Sequence, residues 1–368
     1  MNKHKTIRML LCFTGYIIIT SVANASEVYN QQGNKLDLYG KVDARHVFSD
    51  NIAEDGDNTY IRLGFKGQTK INDTLTGYGQ WEYNFNGNNT EGGADVQKGN
   101  ATRLGLAGLK LEHVGSFEYG RGWGVLYDPA SYTDIMPIYG GNTWVKNDNF
   151  MTKRSTGLFT YRNKDVFGAV PGMKFALQYQ GKNDRSDVTR ANGDGVGAST
   201  EYDFGDGISI AGALGQSNRT LIQQADGLGT DASAWTTAIK YDANLVYLAA
   251  MYSETKNMTP YGQSLFASKT KNIELVAQYQ FLNGLRPSLG FLLSRGSNLS
   301  AATSGANKFS GGDATLLRYI EAGVNYYLNK NMVFYADYKI NLLNDNDFTK
   351  TTGVNTDDSM GVGLIYQF

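Results

Sequence analysis

Apolar and polar residues alternate with a period of two along most of this chain. In the segment Lys35–Arg45 the odd-numbered residues are polar or charged, and the even-numbered residues are apolar or glycine. About sixteen such segments follow one another to the C-terminus, and many have the roughly 9–11 residues that a tilted strand needs to cross a bilayer. Because successive side chains of a strand point to opposite faces, the pattern predicts a long series of β-strands, each with one apolar face.

The connections between these segments alternate between short and long. Ile71–Thr74 and Gly205–Gly207 are short, whereas Asn86–Asn100 and Gly296–Thr315 are long and polar. Antiparallel strands with turns at one end and loops at the other are typical of outer-membrane barrels, in which closure satisfies every backbone group. A single strand of a soluble sandwich has the same spacing, so the prediction rests on the series. We predict an all-β fold, a 16-stranded antiparallel transmembrane β-barrel.

The N-terminal residues have the features of a secretory signal peptide. Basic residues come first, an apolar run Met9–Thr20 follows, and Ala23-Asn24-Ala25 is a cleavage signal. We therefore predict that residues 1–25 are removed and that residues 26–368 form the barrel domain in the cell outer membrane. Cys12 lies in the removed part, so no disulfide or thiolate metal site is expected in the mature chain.

Charge and composition disfavour several other classes of protein. Removing Lys3, Lys5 and Arg8 from the 34 Lys and Arg leaves 31 against 35 Asp and Glu, a net charge of −4, which argues against a nucleic-acid binder. After the signal peptide only His46 and His113 remain as histidines, and neither has a nucleophile motif beside it. We predict that the chain is not an enzyme and that it needs no cofactor and no metal.

One long stretch, Gly122–Thr152, has no periodicity. It contains two prolines and the pair Gly140-Gly141, and its length far exceeds the roughly 4–6 residues of an ordinary loop. A barrel of sixteen strands is wide enough to leave an aqueous lumen. We therefore predict that residues 122–152 fold inward as a constriction loop that narrows this lumen.

Several longer motifs carry a resemblance to a known family. They include EVYNQQGNKLDLYGKVD (Glu27–Asp43), GSFEYGR (Gly115–Arg121), DNFMTKR (Asp148–Arg154), GLRPSLG (Gly284–Gly290) and the terminal YQF. Over essentially its whole length the chain resembles the trimeric general diffusion porins of enteric Gram-negative bacteria. The resemblance implies a homotrimer among outer-membrane lipids and lipopolysaccharide that lets small hydrophilic solutes and ions diffuse passively. It also implies that Tyr366 and Phe368 are an assembly signal read by the outer-membrane insertion machinery.

The same resemblance implies which residues form the pore constriction. On the inward loop the family usually has three acids, whereas this chain keeps Asp134 and has Ile138 and Asn142 at the other two positions. Lys153 adds a cation beside Arg154, as in the anion-preferring, phosphate-starvation member of the family. We therefore expect a preference for anions. The expected constriction residues are Lys41, Arg62, Glu82, Arg103, Asp134, Tyr139, Lys153 and Arg154.

Alternative interpretations of the pore remain open from the sequence. The channel could be specific for one solute or could be a cation-selective general porin, and a loop-rich barrel could also serve only as a surface structure. Lys153 could point away from the constriction, and Asp128 or Asp148 could supply the missing acid. For Asp37, Asp43 and Arg45 we expect solvated positions in the lumen without a particular role.

Overall fold

The computed structural model describes residues 26–262 and 264–368, so the predicted signal peptide lies outside the described residues. The strands are β1 (Ser26–Gln31), β2 (Asn34–Ser49), β3 (Gly56–Asp57), β4 (Tyr60–Lys70), β5 (Leu75–Asn86), β6 (Ala101–Leu111), β7 (Gly115–Trp123), β8 (Arg154–Asn163), β9 (Met173–Gln180), β10 (Gly195–Gly205), β11 (Ile208–Asn218), β12 (Asp231–Ala243), β13 (Val246–Lys256), β14 (Pro260–Tyr261), β15 (Leu265–Phe266), β16 (Lys269–Tyr279), β17 (Leu285–Leu299), β18 (Ala302–Ser304), β19 (Asn307–Phe309), β20 (Gly312–Tyr327), β21 (Met332–Asn341) and β22 (Ser359–Gln367). The helices are α1 (Tyr127–Ala130), α2 (Leu221–Gln224) and α3 (Asp347–Thr352), with a 3-10 turn at Val188–Arg190.

Sixteen of these strands form one closed antiparallel barrel, which confirms the predicted fold. Each long strand pairs with the next along the chain, from β2 and β4 through to β21 and β22. The barrel closes where β22 pairs with the second half of β2, from Lys41 opposite Gln367 to Ser49 opposite Ser359. The first half of β2 pairs with β1, so the two ends of the described chain meet along one strand.

The two faces of the wall differ as the alternation predicts. In β2 the side chain of Val42 faces outward and is 39% exposed, whereas the next residue, Asp43, faces the interior and is fully buried. Outward-facing Trp81, Tyr83 and Phe85 form a row of ring contacts that runs to the last residues of β5. Such a row suits the boundary between lipid and water.

The connections separate into a turn end and a loop end. At the loop end, two short hairpins, β14–β15 and β18–β19, lie beside α3, and Tyr261, Leu299 and Phe348 pack into a small hydrophobic cluster there. Within residues 26–262 and 264–368, no helix has both the length and the apolar character needed to span a membrane.

The long stretch between β7 and β8 folds against the inside of the wall. Gly122 and Trp123 were predicted to belong to this loop, but they continue β7 because they pair with Ser155 and Arg154 of β8. The connection therefore runs over residues 124–153, which we call the inner loop. Its first part packs on β10, β11 and β12 through α1.

Farther along, the inner loop is held by acidic side chains of the opposite wall. Glu274 of β16 accepts hydrogen bonds from the Thr133 hydroxyl and from the backbone N–H (3.1 Å) and hydroxyl (2.6 Å) of Thr143. The backbone N–H of Ile138 donates to Asp337 (2.8 Å), and that of Tyr139 donates to Glu321 (3.1 Å). Since the loop covers the wall from β10 to β21, the open passage lies between the loop and strands β2 to β8.

Candidate constriction site

Three arginines and one carboxylate form the wall opposite the inner loop. Arg62, Arg103 and Arg154 lie near one another on β4, β6 and β8. Glu82 of β5 is paired with Arg103 through a direct hydrogen bond and lies 3.8 Å from the Nε atom of Arg62. The structure thus brings together the predicted wall residues, and it places a single carboxylate between two of the three guanidinium groups.

The first wall strand adds a further charged group. Lys41 lies directly across the ladder from Arg62, and its Nζ atom is 3.3 Å from the carboxylate of Asp43. Asp43 also accepts a hydrogen bond from Arg45 (2.9 Å) and another from the Tyr335 hydroxyl. The expectation that Asp43 and Arg45 are solvated residues without a role was wrong for Asp43, because partners on β2 and β21 bury it completely.

Two aromatic rings at the root of the inner loop hold two cations. The rings of Trp123 and Tyr127 stack with their centroids 4.5 Å apart. The Arg154 guanidinium lies 4.8 Å from the Trp123 ring, and Lys153 Nζ lies 5.4 Å from the Tyr127 ring. Cations over aromatic faces are attracted by the ring quadrupole, so this stack fixes both side chains at the edge of the passage.

The acid retained on the inner loop faces Lys153. The carboxylate of Asp134 accepts hydrogen bonds from Lys153 Nζ (2.7 Å) and from the Tyr127 hydroxyl (2.6 Å). A tight turn makes this possible, because Gly141 has φ +54° and a Cβ atom there would lie 2.3 Å from Asp134 Cγ. Lys153 therefore lies beside Asp134, another of the predicted constriction residues.

The two residues that replace acids of the family pattern have different surroundings. Ile138 packs against the wall beside Gly361, whereas Asn142 is exposed and accepts a hydrogen bond from the Tyr319 hydroxyl (2.8 Å). Tyr139 lies on the wall side of the loop, where Lys339 Nζ is 5.1 Å from its ring. Burial raises the pKa of Tyr139 to about 12, so its phenol stays neutral at physiological pH. Tyr139 thus lies at the loop's attachment to β20 and β21. It does not lie beside Lys41, Arg62, Arg103 and Arg154, the four residues that we call the cation ladder.

The other candidate acids of the inner loop are paired elsewhere. Asp128 binds Arg162 (2.8 Å) and Ser199, and Asp148 forms two hydrogen bonds with Arg121. Asp128 also lines an open cavity at the turn end of the lumen, together with Lys66 and Arg162. Both acids are thus paired with arginines other than the three of the opposite wall.

Sequence reasoning did not identify the acids that hold the inner loop. Glu274, Glu321 and Asp337 all lie at interior-facing positions of their strands, and this facing follows from the alternation. An acidic residue at an interior-facing position of a strand was the only sequence signal for such an anchor. The loop atoms that each acid binds could not be predicted, because they lie far away in the sequence. Among the described residues, no group of three or more His, Cys, Asp or Glu side chains is placed to hold a metal ion.

Comparison with known proteins establishes the family. The model of the Gram-negative porin family matches residues 31–368. The chain belongs to the Gram-negative porin family. This porin is therefore an outer-membrane diffusion channel, and the family consists of channels rather than enzymes.

Individual relatives support the same assignment. The porin is 53% identical to outer membrane protein F of Serratia marcescens, with 96% of each chain covered. It is 53% identical to OmpD of Salmonella typhimurium (96% of this chain, 97% of the other) and 51% identical to porin N of Escherichia coli (96% and 97%).

Solved structures agree with the fold. A structure of Salmonella typhi OmpF in complex with daunomycin superposes with a TM-score of 0.83 at 47% identity, covering 93% of this chain and 100% of the other. An anion-selective porin from Comamonas acidovorans superposes with a TM-score of 0.66 at 19% identity, covering 91% and 100%. The second likeness extends to the fold alone.

Proposed function

We propose that this porin is an anion-preferring, water-filled pore for passive diffusion of small hydrophilic solutes and ions. One observation carries the proposal: the side chains of the proposed constriction include six cations but only three carboxylates. The cations are Lys41, Arg45, Arg62, Arg103, Lys153 and Arg154, and the carboxylates belong to Asp43, Glu82 and Asp134.

Charge of this kind acts strongly on ions inside a narrow passage. In water, an ion about 5 Å from one unit charge has an interaction energy of roughly 0.8 kcal/mol, and the effect grows near a low-dielectric wall before salt screening reduces it. Arginine stays protonated at any working pH, so the positive field persists across the physiological range. Rings of Lys and Arg are the usual means by which pores select anions.

The zero-current potential across a planar bilayer in a KCl gradient tests this proposal. We expect the natural protein to prefer chloride and Lys153→Gln to shift the potential toward potassium. Lys308→Gln removes one cation from the exposed β18–β19 hairpin and serves as the matched control. A clearly cation-selective natural protein would contradict the proposed preference. Saturable solute flux in liposome swelling would instead favour a solute-specific channel.

We further propose that the porin is a homotrimer surrounded by outer-membrane lipids and lipopolysaccharide. One solved structure with this fold, OmpT of Vibrio cholerae, is described as a trimer form. Closure of the natural protein in three equal conductance steps, and a trimer band on an unheated gel, are the expected results. A single closing step together with a monomer band would contradict a trimer.

A further inference from the structure

A buried carboxylate lies between two cations on the interior face of β2. Lys41, Asp43 and Arg45 are spaced two residues apart, so their side chains line one face of the strand. Asp43 accepts hydrogen bonds from both neighbours, at 3.3 Å from Lys41 Nζ and 2.9 Å from Arg45 Nη2. One carboxylate and two cations leave this group of three with a net charge of +1.

The cations of this group reach the lumen, whereas the carboxylate does not. The side chains of Lys41 and Arg45 are 23% and 17% exposed, and that of Asp43 is 0% exposed. Ions in the passage can therefore contact the two cations directly. They do not contact the Asp43 carboxylate, whose negative charge only reduces the net positive charge of the group. Of the two cations, one is needed to balance Asp43.

Aromatic residues fix the group at the constriction. Arg45 Nε donates to the Tyr335 hydroxyl (2.8 Å), and the Tyr335 hydroxyl in turn donates to Asp43. The ring of Tyr60 has three cations near its centroid: Lys41 at 5.0 Å, Arg45 at 5.3 Å and Arg62 at 5.1 Å. Arg45 thus contacts the same Tyr60 ring as Lys41 and Arg62, two residues of the cation ladder.

We propose that Arg45 is a selectivity-determining residue of this pore. Without Arg45, the charges of Lys41 and Asp43 would cancel, and the β2 side of the constriction would be neutral. With Arg45, the acid is balanced and Lys41 remains as an uncompensated cation beside Arg62. This inference rests on the proposed anion preference for the selectivity of the natural protein. The direction in which each variant changes the selectivity does not depend on that preference.

Four variants measured as chloride-to-potassium permeability ratios test the proposal. Arg45→Gln is expected to lower the ratio about two- to four-fold, because one unit charge is lost at the passage. Asp43→Asn is expected to raise the ratio by a similar factor. The double variant removes one charge of each sign and is expected to return close to the natural ratio. Arg45→Lys keeps the charge and is expected to leave the ratio unchanged.

Arg185→Gln, on the exposed loop between β9 and β10, is the matched control and should change the ratio far less. An unchanged ratio in Arg45→Gln, or a double variant displaced as far as Arg45→Gln, would overturn the proposal, since a purely structural role predicts no cancellation. If Arg45→Gln fails to form a barrel, the proposal is tested with Asp43→Asn and Arg45→Lys. A raised permeability ratio in Asp43→Asn together with an unchanged ratio in Arg45→Lys supports the proposal. A lowered ratio in either variant overturns it. A cation-selective natural protein would contradict only the anion preference.

Discussion

The Cδ1 atom of Ile138 lies 2.2 Å from the position that a Cβ atom on Gly361 would occupy. The side chain of Ile138 therefore fills a space on the wall that exists only because residue 361 has no side chain. Its Cγ1 atom is 3.6 Å from the same position, which is an ordinary contact distance. The inner loop thus contacts the wall at this point through the Cδ1 methyl group of Ile138, which packs over Gly361.

Adding a methyl group at Gly361 should destabilise this contact. Gly361→Ala forces the Ile138 side chain to move, and overpacking of this kind costs about 1–3 kcal/mol. Ile138→Val removes the colliding Cδ1 atom, so the double variant should recover most of the lost stability. The measurement is the unfolding temperature of the protein in detergent. A loss in Gly361→Ala that Ile138→Val leaves unrepaired would show that the strain lies elsewhere on β22.

Restoring one acid of the family pattern should reduce the proposed anion preference. Asn142 is exposed, and an aspartate there would still accept the hydrogen bond from the Tyr319 hydroxyl. Asn142→Asp should therefore keep the loop in place and lower the chloride-to-potassium ratio several-fold by adding one negative charge. Asn142→Ser is the neutral control for loss of the amide. The idea fails if both variants change the ratio equally.

Glu274 should be needed to keep the inner loop attached. Glu274→Leu leaves two donors of Thr143 without their buried acceptor, and each unsatisfied group costs about 1–3 kcal/mol. The Thr133 hydroxyl also loses Glu274 but can still donate to the backbone oxygen of Ala130 (3.2 Å). Glu274→Gln retains an acceptor oxygen and should be milder. We expect faster hydrogen exchange at the Thr143 amide in Glu274→Leu than in Glu274→Gln. Equal, natural protection in both variants would exclude an anchoring role.

The sequence predicted which side of each strand faces the lumen, because alternation depends only on neighbouring residues. It predicted the closed barrel, and in the segment Lys35–Arg45 it separated the polar face that carries Lys41 from the apolar face. It did not predict partners, since the contact between Asp43 and Tyr335 joins residues that are 292 positions apart. For the same reason the sequence did not predict that Ile138 packs against Gly361. Because the Ile138 side chain faces the wall, Ile138→Glu would not place a charge directly in the passage.

Deleting Phe368 should impair assembly and closure of the barrel. The Phe368 backbone exchanges two hydrogen bonds of 3.1 Å with Gly40, and its ring lies against the space above Gly40, 6.1 Å from the ring of Tyr366. The deletion removes this junction and the terminal aromatic of the proposed assembly signal. We expect protease-sensitive protein in the periplasm, with Phe368→Tyr assembling close to normally. Full outer-membrane yield without Phe368 would refute both roles.

The attachment of the loop at residues 50–59 should depend on pH through Glu54. Burial raises the pKa of Glu54, but hydrogen bonds from Ser359 (2.6 Å), Lys339 (2.9 Å) and Asn355 (2.9 Å) outweigh burial and hold it below the ordinary value of 4.5. A carboxyl whose folded pKa is lowered contributes stability above its unfolded pKa, and that stability is lost as pH falls through the folded pKa.

We therefore expect the loop at residues 50–59 to remain protected near neutral pH and to open below about pH 4. Hydrogen exchange of this loop measured from pH 7 to pH 3, corrected for the intrinsic exchange rate, checks the prediction. In Glu54→Gln the ionised partner of Lys339 is absent at every pH, so protection should be lower at pH 7 and should fall by less on acidification. Some loss remains because hydrogen bonds from Thr59 also lower the pKa of Asp57 in the same loop. If the variant loses as much protection as the natural protein on acidification, another group controls this loop.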